Sequence, residues 1–332
     1  MKQERFMNSK AAMVANSRNL ALSILLAVLC AVGASLRAVA RGSQVQAAAQ
    51  SGQKSFATAK EAANALIQAA KTYNVGALKD ILGPDGEDLV VSEDPVQDKN
   101  RAAAFVAKAE EKTAVAVDPT DPKRATLSVG DDDWPLPIPI VKRGASWVFD
   151  TKAGQQEILL RRIGSNELDA IQICRGYVDA QEQYALEKHD GSEVNQYAQR
   201  IISTSGKHDG LAWREADGTL GGPIAEGIAK ALEQGYTNKS QPYHGYFFKI
   251  LKGQGADAPL GRMDFVVNGA MIGGFALAAA PAEYRVTGVK TFIVSYEGIV
   301  YQKDLGPNTL EAFRSMELYN PDKTWQRTDD NW

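Results

Sequence analysis

Apolar and polar positions change their period along this chain. After Phe56, Ala62, Leu66, Ala69, Ala70 and Tyr73 recur every three or four residues, which predicts a helix. Thr58 with Glu61 three residues on fits a capping box at its start. A second, short helix is predicted from Val75 to Leu82, ended by Gly83-Pro84-Asp85-Gly86. A third runs from Pro95 to Lys112, with Ala102, Phe105, Val106 and Ala109 on one face. The pattern then becomes one of strands, Thr113 to Val117 and Ala125 to Val129, separated by an Asp- and Pro-rich turn. Prolines interrupt Leu136 to Val141, which predicts an edge or irregular strand. Ser146 to Asp150 closes this run with Trp147 and Phe149.

From Ala153 the helical period returns. Ile158, Leu159, Ile163, Leu168, Ile171, Cys174, Val178, Gln181 and Ala185 form a long stripe, and no proline occurs between Pro139 and Pro223. One or two helices are predicted from Thr151 to Lys188, hinged at Gly164 if two. His189-Asp190-Gly191-Ser192 stops them, and a short helix is expected from Glu193 to Ile202. Ser203 to Gly222 reads as a loop with five glycines, and Pro223 suits the first turn of a helix to Gln234. The rest reads mainly as sheet. Strands are expected at Tyr243 to Leu251, Gly273 to Pro281, Thr291 to Tyr296 and Ile299 to Lys303, then a helix from Asn308 to Leu318. Glu297-Gly298 fits a two-residue hairpin turn, and the small residues of 273–281 predict close approach to a covering element.

Helices followed by antiparallel strands, twice over, give an α+β fold class. The predicted organisation is a leader at 1–40, a flexible linker at 41–55, an N-terminal α+β domain at 56–152, and a long helix plus antiparallel-sheet domain at 153–332. The element order of 56–152 resembles the cone-shaped fold of nuclear-transport-factor-2-like and polyketide-cyclase-like proteins.

The leader says most about where the protein works. Lys2, Arg5, Lys10 and Arg18 precede an apolar run from Leu20 to Ala34, and Ala38-Val39-Ala40 follows. A basic segment, an apolar segment and small residues at Ala38 and Ala40 are the order of a secretory signal peptide. The run is shorter than the ~20 residues that span a bilayer comfortably. Cleavage after Ala40 would leave a periplasmic or secreted chain without a membrane span; a retained leader would anchor it in the inner membrane.

The 332-residue chain carries 37 basic and 40 acidic residues. Without the leader, 32 basic stand against 39 acidic, with no basic block, which argues against nucleic acid as a partner. Cys30 lies in the leader, so Cys174 is left alone and forms no internal disulfide; it reads as a buried thiol. Lipid attachment at Cys30 is not expected, because Leu29 stands where a small residue is needed.

Chemistry is thinly marked. His208-Asp209 in a predicted loop offers a general base with an orienting carboxylate, and Ser203 or Ser205 a nucleophile, but no Gly-x-Ser-x-Gly elbow surrounds them. The three histidines show no metal-ligand spacing, and no sequence calls for a cofactor. Asp131-Asp132-Asp133 lacks the alternation of a calcium loop and reads as a solvated turn. Tyr243, His244, Tyr246, Phe247 and Phe248 form the densest aromatic cluster. They read as core, or, with Trp213, Trp325 and Trp332, as a ligand-binding surface.

Several longer runs carry a resemblance. Phe56-Ala57-Thr58, Ile163-Gly164-Ser165-Asn166-Glu167, Tyr177-Val178-Asp179-Ala180-Gln181, His208-Asp209-Gly210-Leu211 with Trp213, Tyr243-His244-Gly245-Tyr246-Phe247, Tyr301 to Pro307 and Asn320-Pro321-Asp322 with Trp325 belong together. They resemble an uncharacterised family of exported bacterial proteins, the domain of unknown function numbered 2950. The resemblance implies no activity; it implies a partner, another envelope protein. Asn166-Glu167, Asp209-Gly210, Gly245-Tyr246 and Thr287-Gly288 with Phe292 look like pseudopilins and pilin-like domains, although here the long helix lies mid-chain. Three readings therefore stand: a non-enzymatic envelope binding or assembly module, a hydrolase-like enzyme using His208 and Asp209, and a membrane-held pilin-like component.

Overall fold

The structure, a computed structural model, describes residues 52–224 and 242–328. The leader with Ala38 and Ala40, Cys30, the expected helix beyond Ile224 as far as Gln234, and Trp332 lie outside the described residues. The chain divides into two compact units, with the division along the sequence between Arg161 and Arg162.

The first unit opens with helix α1 (Ala59–Lys71). Thr58 Oγ1 accepts from the Glu61 amide at 3.1 Å, and Glu61 reaches back to the Ala57 amide at 3.2 Å. Ala62, Ala63, Leu66, Ala69 and Ala70 are buried on one face. Helix α2 (Val75–Leu82) is capped by Asn74, whose Oδ1 accepts from Ala77 N at 3.0 Å. A 3-10 turn (Pro84–Gly86) and a single helical turn α3 (Glu87–Val90) follow. Helix α4 (Pro95–Glu111) starts at the Asp94 cap with proline in its first turn, where the missing amide costs nothing.

Strands β1 (Thr113–Val117), β2 (Arg124–Val129), β3 (Trp134–Pro135), β4 (Ile140–Arg143) and β5 (Ser146–Phe149) form one antiparallel sheet. Its order is β1-β2-β4-β5, with β3 beside β2. The proline-rich segment differs from expectation. Leu136 to Pro139 is not strand, and β4 begins only after Pro139, with partners on both sides rather than at an edge. Ala125, Leu127, Val129, Ile140 and Phe149 from the sheet share the core with the buried face of α1 and with Ile81 of α2.

Helix α5 (Thr151–Tyr184) runs 34 residues without interruption, so Gly164 is no hinge. Its N-terminal Thr151 donates its hydroxyl to Leu82 O at 2.6 Å.

In the second unit the expected helix from Glu193 to Ile202 is absent. The buried side-chain amide of Gln181 explains why. Its Oε1 accepts from Ala198 N at 2.8 Å and its Nε2 donates to Ala198 O at 2.7 Å. Tyr197 N bonds Met271 O, and Ala212 N bonds Ile201 O. Amides held by tertiary partners are unavailable to a helix. Short strands β6 (Trp213–Arg214) and β7 (Leu220–Gly221) pair within the expected loop.

The main sheet follows. A tight turn at 243–246 leads into β8 (Tyr246–Leu251), so the strand starts three residues later than the sequence pattern suggests. Small hairpins use β9 (Gly253–Gln254) with β10 (Met263–Asp264) and β11 (Val266–Val267) with β12 (Ala270–Met271). Strands β13 (Ala276–Pro281), β14 (Lys290–Ser295) and β15 (Val300–Asp304) continue the sheet, helix α6 (Thr309–Ser315) follows, and β16 (Gln326–Arg327) ends it. The order is β16-β15-β14-β13-β8, all antiparallel. The alanines of β13 are fully buried and α6 packs on that strand, the close approach their small size foretells. Strand β14 ends at Ser295 and β15 begins at Val300, so four residues connect the strands instead of two. Among the described residues no helix is long and apolar enough to cross a membrane.

Candidate functional site

Residues 184–213 of the second unit bring several of the singled-out side chains together. Burial pushes the Tyr184 phenol up to about 12, with Asp190 and Asp209 adding to the shift, and the neutral hydroxyl donates to His208 O at 2.6 Å. The His189 ring stacks on Tyr184 at 3.8 Å, and its Nε2 contacts Tyr184 O at 2.9 Å. Trp213 stacks on His208 at 4.3 Å and lies 6.2 Å from His189. Asp190, at a positive φ, takes the His208 amide on its carboxylate at 2.8 Å.

His208 and Asp209 do not act as a pair here. Asp209 accepts from Thr204 N and Thr204 Oγ1, both at 2.7 Å, and its other close charge is Arg200 Nε at 3.6 Å. Partial desolvation raises the Asp209 pKa, but the Thr204 bonds and Arg200 together outweigh it and hold the carboxyl below its usual range. The His208 ring is instead engaged with Trp213. Ser203 Oγ accepts from Gly210 N at 2.9 Å, and Ser205 is exposed in the adjacent turn.

Asp209 faces a cleft of about 480 Å³, lined also by Tyr184, Gln196, Tyr197, Gln199, Arg200 and Lys252. Its polar walls are fixed by their own hydrogen bonds. Gln199 Nε2 donates to Gly269 O at 2.7 Å while its Oε1 accepts from Lys252 Nζ at 3.2 Å. Gln196 Oε1 accepts from Met271 N at 3.3 Å and its Nε2 reaches Ser192 Oγ at 3.3 Å. Tyr197 is set edge-on against Phe275 at 4.8 Å. Arg200 and Lys252 carried no signal in the sequence, because each looks like an isolated surface base. Tyr184 lies off the helical stripe that the sequence pattern marks, between its members Gln181 and Ala185.

The aromatic cluster at 243–248 separates into two roles. Tyr246 is fully buried and donates to Lys290 O at 2.8 Å, so it is core, not ligand surface. Burial drives its phenol pKa upward. Tyr243 and Tyr246 exchange backbone hydrogen bonds across His244-Gly245, both at positive φ, a two-residue turn of the mirror-image type. There Tyr243 stacks on His244 at 4.1 Å, and His244 Nδ1 meets Asp169 Oδ2 of α5 at 2.5 Å. The histidine–carboxylate pair that the sequence placed at 208–209 is thus formed by residues 75 positions apart. Asp169 stands off the apolar stripe of the long helix, so the sequence pattern carried no signal for it. Among the described residues, no hydrogen bond or ring contact joins the Tyr243–His244 pair to the His208–Trp213 pair.

Other singled-out residues have local roles. Asp132 pairs with Lys108 at 2.8 Å and Asp133 with Lys112 at 2.7 Å, so the acidic run ties a turn to α4. Cys174 is fully buried, and burial pushes its thiol up to about 12. Lys303 Nζ sits 5.7 Å from the centre of the Trp325 ring. Among the described residues, no group of three or more His, Cys, Asp or Glu side chains converges as a metal site.

Residues 53–328 match the family model described as protein of unknown function (DUF2950), and the chain belongs to that family. No curated protein and no solved structure matches it. The architecture is of the α+β class.

Proposed function

We propose that this protein is an exported binding module of the bacterial envelope and that the cleft beside Asp209 is its recognition surface. One observation carries the reading. The cleft's polar side chains are already hydrogen-bonded into place, with Gln199 spanning Gly269 and Lys252, and Asp209 held by Thr204. Pre-set polar groups around a concave surface of about 480 Å³ suit ligand capture without loss of side-chain entropy. The basic leader, apolar run and small residues at Ala38 and Ala40 support export and cleavage. The partner proposed for the module is another envelope protein.

The test is to express the full chain with a C-terminal tag in its native host, fractionate, sequence the mature N-terminus and purify under gentle conditions. The expected result is a periplasmic or secreted protein beginning at Arg41. It should hold a stoichiometric partner that is lost when Arg200→Ala opens the cleft. Cytoplasmic retention with the leader intact would defeat the export reading. Recovery alone and monomeric would defeat the partner.

A further inference from the structure

We infer that the cleft beside Asp209 takes a sugar carrying a single carboxylate. This rests on the reading of that cleft as a recognition surface and gives a chemical class to the group recognised there, a sugar acid either free or carried by the partner.

The argument begins with charge. Three formal charges line the cleft: Arg200, Lys252 and Asp209. Asp209 is ionised, since its carboxyl is held below the usual range, and it lies 3.6 Å from Arg200 Nε. Among the described residues, Lys252 Nζ bonds the neutral Gln199 amide oxygen alone, at 3.2 Å. The balance is one surplus positive charge on a concave wall. The terminal nitrogens of Arg200 make no hydrogen bond among the described residues and form a planar fork suited to an oxyanion.

The sign and size of that surplus select the ligand. A carboxylate brings one negative charge and matches it. A phosphate monoester brings about 1.5 to 2 negative charges and would sit against Asp209. The remaining walls suit hydroxyl groups. The Gln196 and Gln199 amides and the Asp209 oxygens place donors and acceptors side by side, and each amide retains bonding capacity beyond its present partners. Tyr197, half-buried at the cleft, adds ring surface for the apolar face of a pyranose. The volume, about 480 Å³, is that of a small-molecule site.

The experiment titrates the full chain with D-glucuronate, D-glucose and glucose 6-phosphate, by saturation-transfer NMR and calorimetry, in parallel with Lys252→Met. Lys252 is exposed and, among the described residues, its side chain bonds Gln199 alone, so the variant is expected to melt at the wild-type temperature. Glucuronate should bind at least tenfold more tightly than glucose, weaken as salt is raised, and lose about tenfold in Lys252→Met, a larger loss than the one glucose suffers when Gln199 loses its lysine partner. Equal binding of glucose and glucuronate would remove the acid selectivity but leave a recognition surface in place. Tighter binding of glucose 6-phosphate would replace the carboxylate with a phosphate and overturn the inference. No binding of any sugar, alongside a protein partner lost in Arg200→Ala, would refute the sugar and preserve the module.

Discussion

Asp169 on α5 and His244 in the turn before β8 are bonded, Oδ2 to Nδ1, at 2.5 Å. The carboxylate is nine-tenths buried and the imidazole about 30% exposed. The pair pins a strained turn, with His244 at φ 44°, to the helix that lies 75 residues earlier. An acid buried on a helix needs a partner, and a histidine is among the residues that tolerate this backbone region.

Removing the imidazole leaves the Asp169 carboxylate buried without that bond. His244→Ala should therefore cost about 1–3 kcal/mol. Asp169→Asn should cost less, because the neutral amide is cheaper to bury. Urea denaturation of both singles and the double variant gives the coupling. Strictly additive losses would show that the contact contributes nothing of its own.

Cys174 should be chemically silent. It is fully buried with its thiol pushed up to about 12, so almost no thiolate exists at neutral pH. In a Cys30→Ser background, a thiol reagent at pH 8 should label the native protein only as fast as it opens, and the denatured protein at once. Prompt stoichiometric labelling of the native form would contradict its placement.

Much of the fold was legible because the local signals agreed with the tertiary result. Thr58 and Glu61 announced α1, and the pattern of 113–129 matched β1 and β2 within one residue. The failures share one physical cause. The segment 193–202 looks helical until Gln181, read as part of an apolar stripe, takes both backbone groups of Ala198. Adjacency in sequence likewise suggested a His208–Asp209 pair, whereas the bonded pair is Asp169 with His244. The cleft was invisible for the same reason. Arg200, Asp209 and Lys252 meet only through the path of the chain.

Asp209 should titrate below a free carboxylate. Desolvation pushes its pKa up, but the two Thr204 hydrogen bonds and Arg200 more than offset that. A depressed folded pKa stabilises the protein above the unfolded value, about 3.9, and that contribution is lost as pH falls through the folded value. Thr204→Val keeps the shape and removes the hydroxyl. Carboxyl-carbon NMR should then show the Asp209 midpoint moving up toward the ordinary value. An unchanged midpoint would assign the depression to Arg200 and the backbone amide instead.

Gly288 and Tyr246 offer the sharpest packing test. A Cβ added at Gly288 would overlap Tyr246 Oη and lie 2.7 Å from Cζ, while Tyr246 is fully buried and anchored to Lys290 O. A buried ring fixed at both ends cannot swing away, so Gly288→Ala should cost about 1–3 kcal/mol through overpacking. Tyr246→Phe alone should cost about 1 kcal/mol, the value of a typical buried hydrogen bond. Together they should cost less than their sum, since the phenylalanine lacks the oxygen that the new methyl strikes. The relief is partial, because the ring carbons stay close. Chemical denaturation of the two singles and the double measures the coupling. Additive costs would mean that the connecting segment before β14 moves away from the ring, and that Gly288 is present for some reason other than the adjacent tyrosine.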